Sequence, residues 1–569
     1  MKAASEKINN IFNTNQLYYV PFFQRSYVWK EEQWERFLKD MEEVSRYGEK
    51  YFMGSIILKQ EEQGEALTIV DGQQRLTTLN LFFKVWSLLA NSDKLEAIFR
   101  IPFDDDRLAV IHNRNDRNDF EKVMNLKTLV PLAKANEANS SIIRAYEYFR
   151  KHIEVEQLDY KKVLSNVLFV NITLNEKEDE QQIFDTINSI GVQLTTAELL
   201  KNHLFNSNEA SSYEKYWEPI FEKDNTDFWN KAIVTGRTRR TNIDLFFYSF
   251  LQIKTQQHTL SITTEDKNQF TKVDGLFKSY KKFISKYIQE DKREEFLKEI
   301  QVYAQLYLKH IDEEVIERSL SGNDQLDRIN VLIFGLENTT LIPYVLYVLK
   351  ESENSETRDE LLAYLETFIM RRTIDKEASS KNYNQLFSER LIAKEITTKE
   401  ALQAYLDEQT DKINYMPDDE TLKKGFQTVK LNNKKAAGVL YMIESKIRNP
   451  KKHSTNLLGL KGYTLEHLMP KKWRNHWLKP TDIAEHRVLD QKLRTLGNLA
   501  IISATLNTSI RDNVWAIKKT GKGYKNGLNK YAQGLDTLYD ALQKDVWNKE
   551  AIEERANFLF EKAKNIWPI

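Results

Sequence analysis

The spacing of apolar residues changes along this chain of 569 residues, and that change limits the folds it can adopt. In the first 205 residues, short apolar runs typical of strands alternate with stretches of helical periodicity. We predict strands at Tyr51 to Leu58, Leu67 to Val70 and Val167 to Leu174, and helices at 31–46 and Arg75 to Ala90. This mixture predicts an N-terminal α+β domain.

Two further helices are predicted at the end of this region. Apolar residues from Ile183 to Ile190 follow helical spacing, and Gly191 supplies a left-handed helix stop. Thr195 and Glu198 form a capping-box pattern for the next helix, Ala197 to Phe205.

The strand signals fade from about residue 206 to residue 420, where helical periodicity is sustained, as between Leu276 and Ile288. Pro417 lies in a polar stretch that indicates a boundary, and beyond it the chain becomes basic. We therefore expect a multidomain, predominantly α protein with α+β ends, divided into domains 1–205, 206–420 and 421–569.

The sequence contains no cysteine, which excludes disulfides, thiolate nucleophiles, iron–sulfur clusters and cysteine-ligated zinc. Any metal must therefore have oxygen or nitrogen ligands. No apolar segment approaches the roughly 20 residues of a membrane-spanning helix, and the N-terminus lacks a signal-peptide pattern. We expect no membrane association and a cytoplasmic location.

The charge of the chain is zero overall but uneven along its length. Between Thr421 and Lys530 there are 23 basic and 6 acidic residues, a net charge of +17, so the rest of the chain carries −17. A basic segment about one domain long is typical of a nucleic-acid-binding module. A solvated basic face is the alternative interpretation.

A candidate anion site lies between the second predicted strand and the following helix, at Asp71-Gly72-Gln73-Gln74-Arg75, with Thr77 and Thr78 one turn on. A strand-to-helix turn directs unpaired backbone N–H groups and the positive end of the helix dipole to one point. Arg75 could bind phosphate oxygens, and Asp71 a water or a phosphate-bound Mg²⁺. A second cluster near Gln24 and Arg25 offers another cation beside aromatic residues.

The alternative is that Asp71 only caps the helix and Arg75 forms a structural ion pair. No G-x-x-x-x-G-K-[ST] sequence is present, which excludes a P-loop match.

A second candidate site lies in the basic segment, where a predicted strand ends at Glu466-His467 and a second predicted strand, Gly497 to Ile502, precedes a helix that starts near Asn507. Phosphodiester cleavage needs a base active near pH 7 and a cation to stabilise charge on the phosphate. His467 suits the base, and Glu466 and Asn507 are oxygen ligands for Mg²⁺ or Mn²⁺. Asn498 could accept a hydrogen bond from the imidazole and fix its tautomer.

Basic residues around this site are candidates for contacts with the DNA backbone. They are Lys471, Lys472, Arg474, Arg511, Lys518 and Lys519. A lone Glu-His pair is more often structural than catalytic, and the asparagines and the basic segment favour catalysis here.

The motifs PFFQRSYVW, YFMGSIIL, IVDGQQRLTTL and EDEQQIFDTINSIGVQLTTAELLKN resemble, in order and spacing, the N-terminal domain of the GmrSD-type modification-dependent (type IV) restriction endonucleases. The resemblance implies a ParB/sulfiredoxin-like domain that binds and hydrolyses a nucleoside triphosphate through Asp71 to Arg75, with Gln24 and Arg25 nearby.

The pattern EHLMP…LGNLAIIS…LN…KK resembles the C-terminal HNH (ββα-metal) nuclease domain of the same enzymes. The resemblance implies that His467 is the general base, Asn498 its orienting residue, and Glu466 and Asn507 the metal ligands. Glu466 stands where many HNH enzymes have Asp or His, and Asn507 where some have a final His. The zinc-stapled HNH variant is excluded because there is no cysteine.

Together these features predict a bacterial antiphage enzyme in which a nucleoside triphosphate regulates metal-dependent cutting or nicking of modified double-stranded DNA. The sequence does not distinguish GTP, UTP and CTP as the nucleotide, or Mg²⁺ and Mn²⁺ as the metal. A homo-oligomer is one assembly that the sequence allows. One alternative is a nucleotide-controlled DNA-binding or partner-binding switch with an inactive HNH-like fold. Another is an RNA-directed, toxin-like nuclease.

Overall fold

The fold is given by a computed structural model of the chain. It describes residues 2–12, 15–22, 24–60, 66–102, 104–132, 140–175, 196–205, 209–235, 238–272, 275–320, 324–378, 383–409, 414–449, 451, 456–477, 483–523, 525–532 and 534–569. The predicted helix from Ile183 to Ile190, its stop at Gly191 and the capping Thr195 lie outside the described residues.

The chain forms two compact units, Met1–Lys215 and Tyr216–Ile569. The first ends close to the boundary expected at residue 205. The second contains both the expected helical middle region and the expected nuclease segment. The molecule is mostly helical, with one mixed sheet in the first unit.

The sheet of the first unit has six strands in the order β1-β8-β3-β4-β2-β7. β3 is parallel to β8 and antiparallel to β4, and β2 is parallel to both of its neighbours. The strands of this unit, including a separate β5–β6 pair, are β1 Lys2–Lys7, β2 Leu17–Tyr19, β3 Tyr51–Gln60, β4 Ala66–Asp71, β5 Arg100–Ile101, β6 Asp104–Leu108, β7 Val110–Ile111 and β8 Val167–Leu174.

Helices pack their apolar faces against this sheet and against one another. In chain order they are α1 Ile8–Phe12, α2 Glu31–Tyr47, α3 Gln73–Ala90, α4 Asp93–Glu96, α5 Arg114–Met124, α6 Ser141–His152, α7 Tyr160–Asn166, α8 Thr196–Leu204 and α9 Ala210–Tyr216. α2 buries Trp34, Phe37, Leu38 and Met41 at helical spacing, and Gly48 ends it in the left-handed conformation. α3 is buried over nearly its whole length and forms the centre of the core.

The second unit is built almost entirely of helices. They are α10 Glu218–Phe221, α11 Thr226–Asn230, α12 Asn242–Gln256, α13 Thr264–Phe270, α14 Leu276–Tyr287, α15 Arg293–His310, α16 Gln325–Asn330, α17 Ile342–Glu351, α18 Ser355–Ile374, α19 Tyr383–Gln385, α20 Leu391–Ala393, α21 Lys399–Asp407, α22 Asp419–Thr428, α23 Asn433–Ile447, α24 Trp473–His476, α25 Ile483–Lys492, α26 Ala504–Ile510, α27 Trp515–Thr520, α28 Leu528–Tyr531, α29 Asp536–Leu542 and α30 Lys549–Ile566.

In the described part of the second unit, three two-stranded antiparallel pairs interrupt the helices. Their strands are β9 Ala232–Thr235, β10 Thr238–Thr241, β11 Tyr463–His467, β12 Leu499–Ser503, β13 Gly521–Lys522 and β14 Lys525–Asn526. The β9–β10 pair was not expected in the middle region, and its strands are too short to carry a strong apolar alternation. The predicted hairpin followed by a helix is confirmed as β11, β12 and α26.

The β11–β12 hairpin is held from behind by the last long helix of the chain. The buried Arg555 of α30 donates from Nη1 to the carbonyl oxygens of Leu496, Gly497 and Leu499, at 2.7–3.1 Å. Gly497 packs so closely on α30 that an added Cβ would lie 2.2 Å from the Ile552 carbonyl oxygen. The start of β12 is therefore fixed in position by contacts made far along the sequence.

Within the described residues, no helix is both long and apolar enough to cross a membrane.

Candidate active site

The β11–β12 hairpin carries His467 into a cleft of about 480 Å³ in the second unit. His467 lies opposite Leu499 in the strand register, and both line the cleft together with Leu465. Alternate residues of a strand share a face, so this face of the hairpin is the wall of the cleft. Lys471 and Arg494 add two cations to the lining.

The environment of His467 favours the neutral imidazole. Burial, followed by the charges of Lys471, Lys518 and Arg494, lowers the pKa of His467 to about 4. Among the described residues, the imidazole has no hydrogen-bond partner. The half-buried, unbonded imidazole is free to accept a proton, but its lowered pKa makes it a weaker base than the one expected from the sequence. A phosphate anion bound in the cleft would raise that pKa again, because an opposite charge favours the protonated form.

Asn498 is fully buried and uses its whole amide within the protein. Its Oδ1 accepts hydrogen bonds from the Met469 backbone N–H at 2.7 Å and from the Trp547 indole at 3.0 Å. Its Nδ2 donates to the carbonyl oxygens of Met469, at 3.0 Å, and Leu493, at 2.9 Å. The expected hydrogen bond from the imidazole to this oxygen is therefore replaced by bonds that fix the backbone just after His467. In this geometry Asn498 acts on His467 only as a positioning residue.

Glu466 points to the other face of the hairpin, because it neighbours His467 in a regular strand. Its carboxylate forms a buried ion pair with Lys518, whose ammonium also donates to the His467 carbonyl oxygen at 2.6 Å. Burial raises the pKa of Glu466, and the charge of Lys518 opposes that rise. Lys518 is only 1% exposed, which corrects its expected role as a direct contact to DNA.

Asn507 lies on the same face as Glu466. Its Nδ2 donates to the Thr464 hydroxyl and to the Leu465 carbonyl oxygen, both at 3.1 Å. Thr464 and Glu466 are two residues apart in β11, so their side chains share this face. Because these bonds occupy the amide nitrogen, the Asn507 oxygen is left for another partner.

The donor set on this face suits a hard cation. A carboxylate and an amide oxygen are ligands that Mg²⁺ and Mn²⁺ accept, with water completing the coordination. Within the described ranges, no group of three or more His, Asp or Glu side chains could hold a metal by itself. A metal here would therefore have to combine Glu466 with Asn507.

The other predicted DNA-contacting residues differ in their availability. Lys471 and Lys472 are exposed on the segment after His467, and Arg511 is exposed after α26. Arg474 forms a two-pronged ion pair with Asp490, at 3.0 and 2.6 Å. Lys519 donates to the Lys544 carbonyl oxygen at 2.7 Å. Lys471, Lys472 and Arg511 are thus the most accessible members of the predicted set.

Sequence reasoning missed Arg494 and Trp547. Arg494 lies four residues before Asn498, just ahead of the LGNLAIIS motif that supplies β12. This position could have indicated that Arg494 lies near the site. Trp547 reaches Asn498 across 49 residues, and nothing local in the sequence marks that contact.

The turn from β4 into α3 forms the candidate site of the first unit. Gly72 is the N-cap residue of α3 with φ of +100°, and an added Cβ would lie 2.6 Å from Ile56 Cγ2. Arg75 Nη2 donates to the Asp71 carboxylate at 2.9 Å and to the Ser55 carbonyl oxygen at 2.5 Å. The alternative of a structural Asp71–Arg75 ion pair is therefore present, whereas the cap residue is Gly72 and not Asp71.

Several residues that were predicted to bind nucleotide form hydrogen bonds with neighbouring backbone groups instead. Gln74 accepts from the Val28 N–H at 2.9 Å and donates to the Ser26 carbonyl oxygen at 3.2 Å. Gln24 donates to the Val70 carbonyl oxygen at 3.1 Å. These bonds fix the segment of Gln24 to Val28 against the turn.

The two threonines of the motif are also engaged. Thr77 donates to the Gln73 carbonyl oxygen at 2.8 Å, and its oxygen lies 3.0 Å from His112 Nε2. The Thr78 hydroxyl lies 2.7 Å from the Tyr27 hydroxyl. Arg25 forms a longer ion pair with Glu198, at 3.8 Å.

Some polar groups beside this turn are buried without a partner. They include Gln73 Nε2, on a residue that is 5% exposed, and Arg75 Nε. A buried donor without an acceptor costs about 1–3 kcal/mol. Gln73 and Arg75 belong to the first turn of an 18-residue helix, where backbone N–H groups also lack acceptors. The Arg75 guanidinium and the backbone N–H groups of this turn are donors of the kind that bind anionic oxygens, whereas Gln73 Nε2 and Arg75 Nε are shielded from solvent and would be reached only after the turn rearranges.

Two family models match the chain at the two regions just described. The N-terminal domain of GmrSD restriction endonuclease matches residues 8–205, and the C-terminal domain of GmrSD restriction endonucleases matches residues 416–562. The class of protein is therefore a DNA endonuclease that acts in defence, with DNA as its partner. The chain belongs to the GmrSD restriction endonuclease family. No curated protein matches it.

Proposed function

We propose that the chain is an HNH-type, metal-dependent endonuclease with His467 as general base, regulated by a nucleoside triphosphate in its N-terminal unit. The observation that carries the nuclease assignment is the unbonded imidazole on a cleft that also holds Lys471 and Arg494. A base near two cations can activate water beside a bound phosphate.

In the proposed cleavage, water attacks the phosphorus from the side opposite to the leaving oxygen. His467 takes the proton of the water, and Asn498 holds the backbone on which the imidazole depends.

Glu466 and Asn507 are the residues that would hold Mg²⁺ or Mn²⁺. When bound, the ion supplies positive charge that stabilises the phosphate and the leaving oxygen. Lys518 already pairs with the Glu466 carboxylate, so a bound ion would have to share this carboxylate with the ammonium or displace it.

The experiment is DNA cleavage by His467→Ala, with His486→Ala as the matched control. His486 belongs to the same unit and packs its ring against Trp473. We expect cleavage to fall about 10²- to 10⁴-fold in His467→Ala and to stay near the original rate in the control. Undiminished cleavage by His467→Ala would refute the assignment. Addition and removal of Mg²⁺ and Mn²⁺ in the same assay tests the metal.

The proposed nucleotide site is the turn from β4 into α3, within a ParB/sulfiredoxin-like domain. Its support is the set of unpartnered donors at Gln73 and Arg75 beside the N-terminus of a long helix. GTP, UTP and CTP are the ligands to compare. Cleavage is measured on matched DNAs that differ only in their modification, each with and without nucleotide. This comparison tests both the regulation by nucleotide and the preference for modified DNA.

A further inference from the structure

Two clefts of the second unit share the side chain of Leu431. One is the cleft of His467. The other is larger, about 660 Å³, and is lined by the end of α18, the segment between α22 and α23, and the end of α25. We propose that the two clefts form one continuous track for the sugar–phosphate backbone of DNA, leading to His467. This inference rests on the proposed nuclease function and adds the path of the substrate.

Unpaired cations are spread over both clefts. Lys376, Lys430 and Lys435 line the larger cleft, and Lys471 and Arg494 line the smaller one. Among the described residues, none of the five has an acidic partner within 4 Å. Five cations in adjoining recesses repel one another, and a bound polyanion removes that repulsion.

The acidic groups nearby do not cancel this charge. Among the described residues that line the larger cleft, Asp375 is the one acidic residue, and its carboxylate already accepts hydrogen bonds from the Tyr415 hydroxyl and the Glu377 backbone N–H. Other basic residues of the lining do have partners. Lys492 pairs with Glu553 at 3.0 Å, and Lys434 with Glu337 at 2.7 Å. These five cations therefore differ from the neighbouring lysines, whose charges are neutralised by acidic partners.

The chemistry of the larger cleft favours phosphate and sugar over bases. Beside the lysines, its lining includes the polar side chains of Asn338, Gln427, Thr428 and Gln491, and Tyr383 is the one aromatic residue among the lining residues that the structure describes. Hydroxyl and amide groups hydrogen-bond phosphate and sugar oxygens, whereas recognition of single strands uses aromatic rings that stack on bases. The track therefore fits the backbone of a duplex.

The segment that carries Lys430 and Lys435 is held in place before any ligand binds. An added Cβ on Gly425 would lie 2.4 Å from the Ile374 carbonyl oxygen, so α22 packs directly on the end of α18. Gln427 Nε2 donates to Asn557 Oδ1 at 2.9 Å, and Asn432 caps α23 by accepting from the Lys435 N–H at 2.9 Å. Binding therefore requires little ordering of backbone, which favours affinity.

Lys376 gives the helical middle region a part in this surface. It follows the end of α18, outside the segment expected to form the nuclease domain, yet it lines the cleft with Lys430 and Lys435. The middle region would thus extend the DNA-binding surface away from the cutting site.

The test measures binding of a fluorescent DNA duplex to the full chain as the salt concentration is varied. A His467→Ala background prevents cleavage during the measurement. The variant is Lys430→Ala with Lys435→Ala, and the matched control is Lys272→Ala with Lys278→Ala, two exposed lysines outside both clefts. The slope of log K against log salt is negative, and each lost phosphate contact reduces its magnitude by about 0.9.

We expect the cleft variant to bind on the order of tenfold more weakly at moderate salt, and the magnitude of its slope to decrease by about 1.8, with the control unchanged. Adding Lys376→Ala should reduce the magnitude of the slope further, by about 0.9. Equal affinity and slope in the cleft variant and the control would overturn the track. That failure is distinct from failure of the nuclease assignment, which is decided by cleavage in His467→Ala alone.

Discussion

The hairpin of His467 and the turn of Asp71 to Arg75 differ in how their polar groups are used. At the hairpin, Asn498 is fully bonded behind the site, and the imidazole in front of it is unbonded. At the turn, the most prominent cation, Arg75, is already paired with Asp71, and unpartnered donors remain beside it. The imidazole side of the hairpin is therefore open to substrate, whereas a ligand must compete with an internal partner at the turn, where Asp71 pairs with Arg75, and on the metal face of the hairpin, where Lys518 pairs with Glu466.

Replacing Asn498 should have the largest effect on stability. Asn498→Ala leaves the Met469 N–H and the Trp547 indole without acceptors and removes two donated bonds. We expect the free energy of unfolding of the second unit to fall by about 3 kcal/mol, with loss of cleavage. Thermal unfolding beside a cleavage assay measures both. A variant with native stability and full cleavage would show that the backbone after His467 does not depend on this amide.

Replacing Arg75 tests whether this residue binds nucleotide or only forms an ion pair with Asp71. Arg75→Ala is compared with Arg117→Ala, because Arg117 also forms an i,i+4 ion pair, with Glu121 at 3.1 Å. We expect nucleotide affinity to fall about thirtyfold in Arg75→Ala, the equivalent of about 2 kcal/mol, and to be unchanged in Arg117→Ala. Calorimetric titration with GTP, UTP and CTP provides the measurement. Equal affinities in the two variants would reduce Arg75 to a structural ion pair.

The backbone of the turn is tested by Gly72→Ala. The positive φ and the contact with Ile56 should destabilise the first unit by about 2 kcal/mol. Gly523→Ala is the matched control, since Gly523 has a φ of +62° but no atom within 4 Å of an added Cβ. It should cost about 1 kcal/mol in the second unit. Similar losses of stability in the two variants would mean that the close contact with Ile56 does not contribute to the destabilisation by Gly72→Ala.

The smallest effect is expected at Asp116, which accepts a hydrogen bond from the Tyr27 backbone N–H at 2.7 Å. Burial raises the pKa of Asp116 to about 6, above its ordinary value of 3.8. The folded state therefore retains the proton more strongly, and stability is lost as the pH rises through about 6. Asp116→Asn should raise the free energy of unfolding by about 1 kcal/mol at pH 8 and change it little at pH 4. A gain that is the same at both pH values would contradict the raised pKa.

The sequence predicted those features that depend on local spacing. Helix α2, strands β3, β4 and β8, and the order of hairpin and helix after residue 463 follow apolar patterns of period 3.6 or 2, and they are confirmed.

Features that depend on distant contacts could not be predicted in this way. Three such features join residues about 50 apart in the chain. They are the hydrogen bond from Trp547 to Asn498, the buried ion pair of Lys518 with Glu466, and the cleft that is lined by both Lys376 and Lys430. The basic segment indicated nucleic acid correctly as a class of partner, but the exposure of each lysine depends on tertiary packing.

The most direct measurement is rescue of DNA cleavage in His467→Gly by free imidazole. If the His467 ring is the general base, removing it should abolish cleavage, and imidazole diffusing into the cleft should restore part of the rate while DNA affinity stays unchanged. Full cleavage by His467→Gly without imidazole would contradict the account.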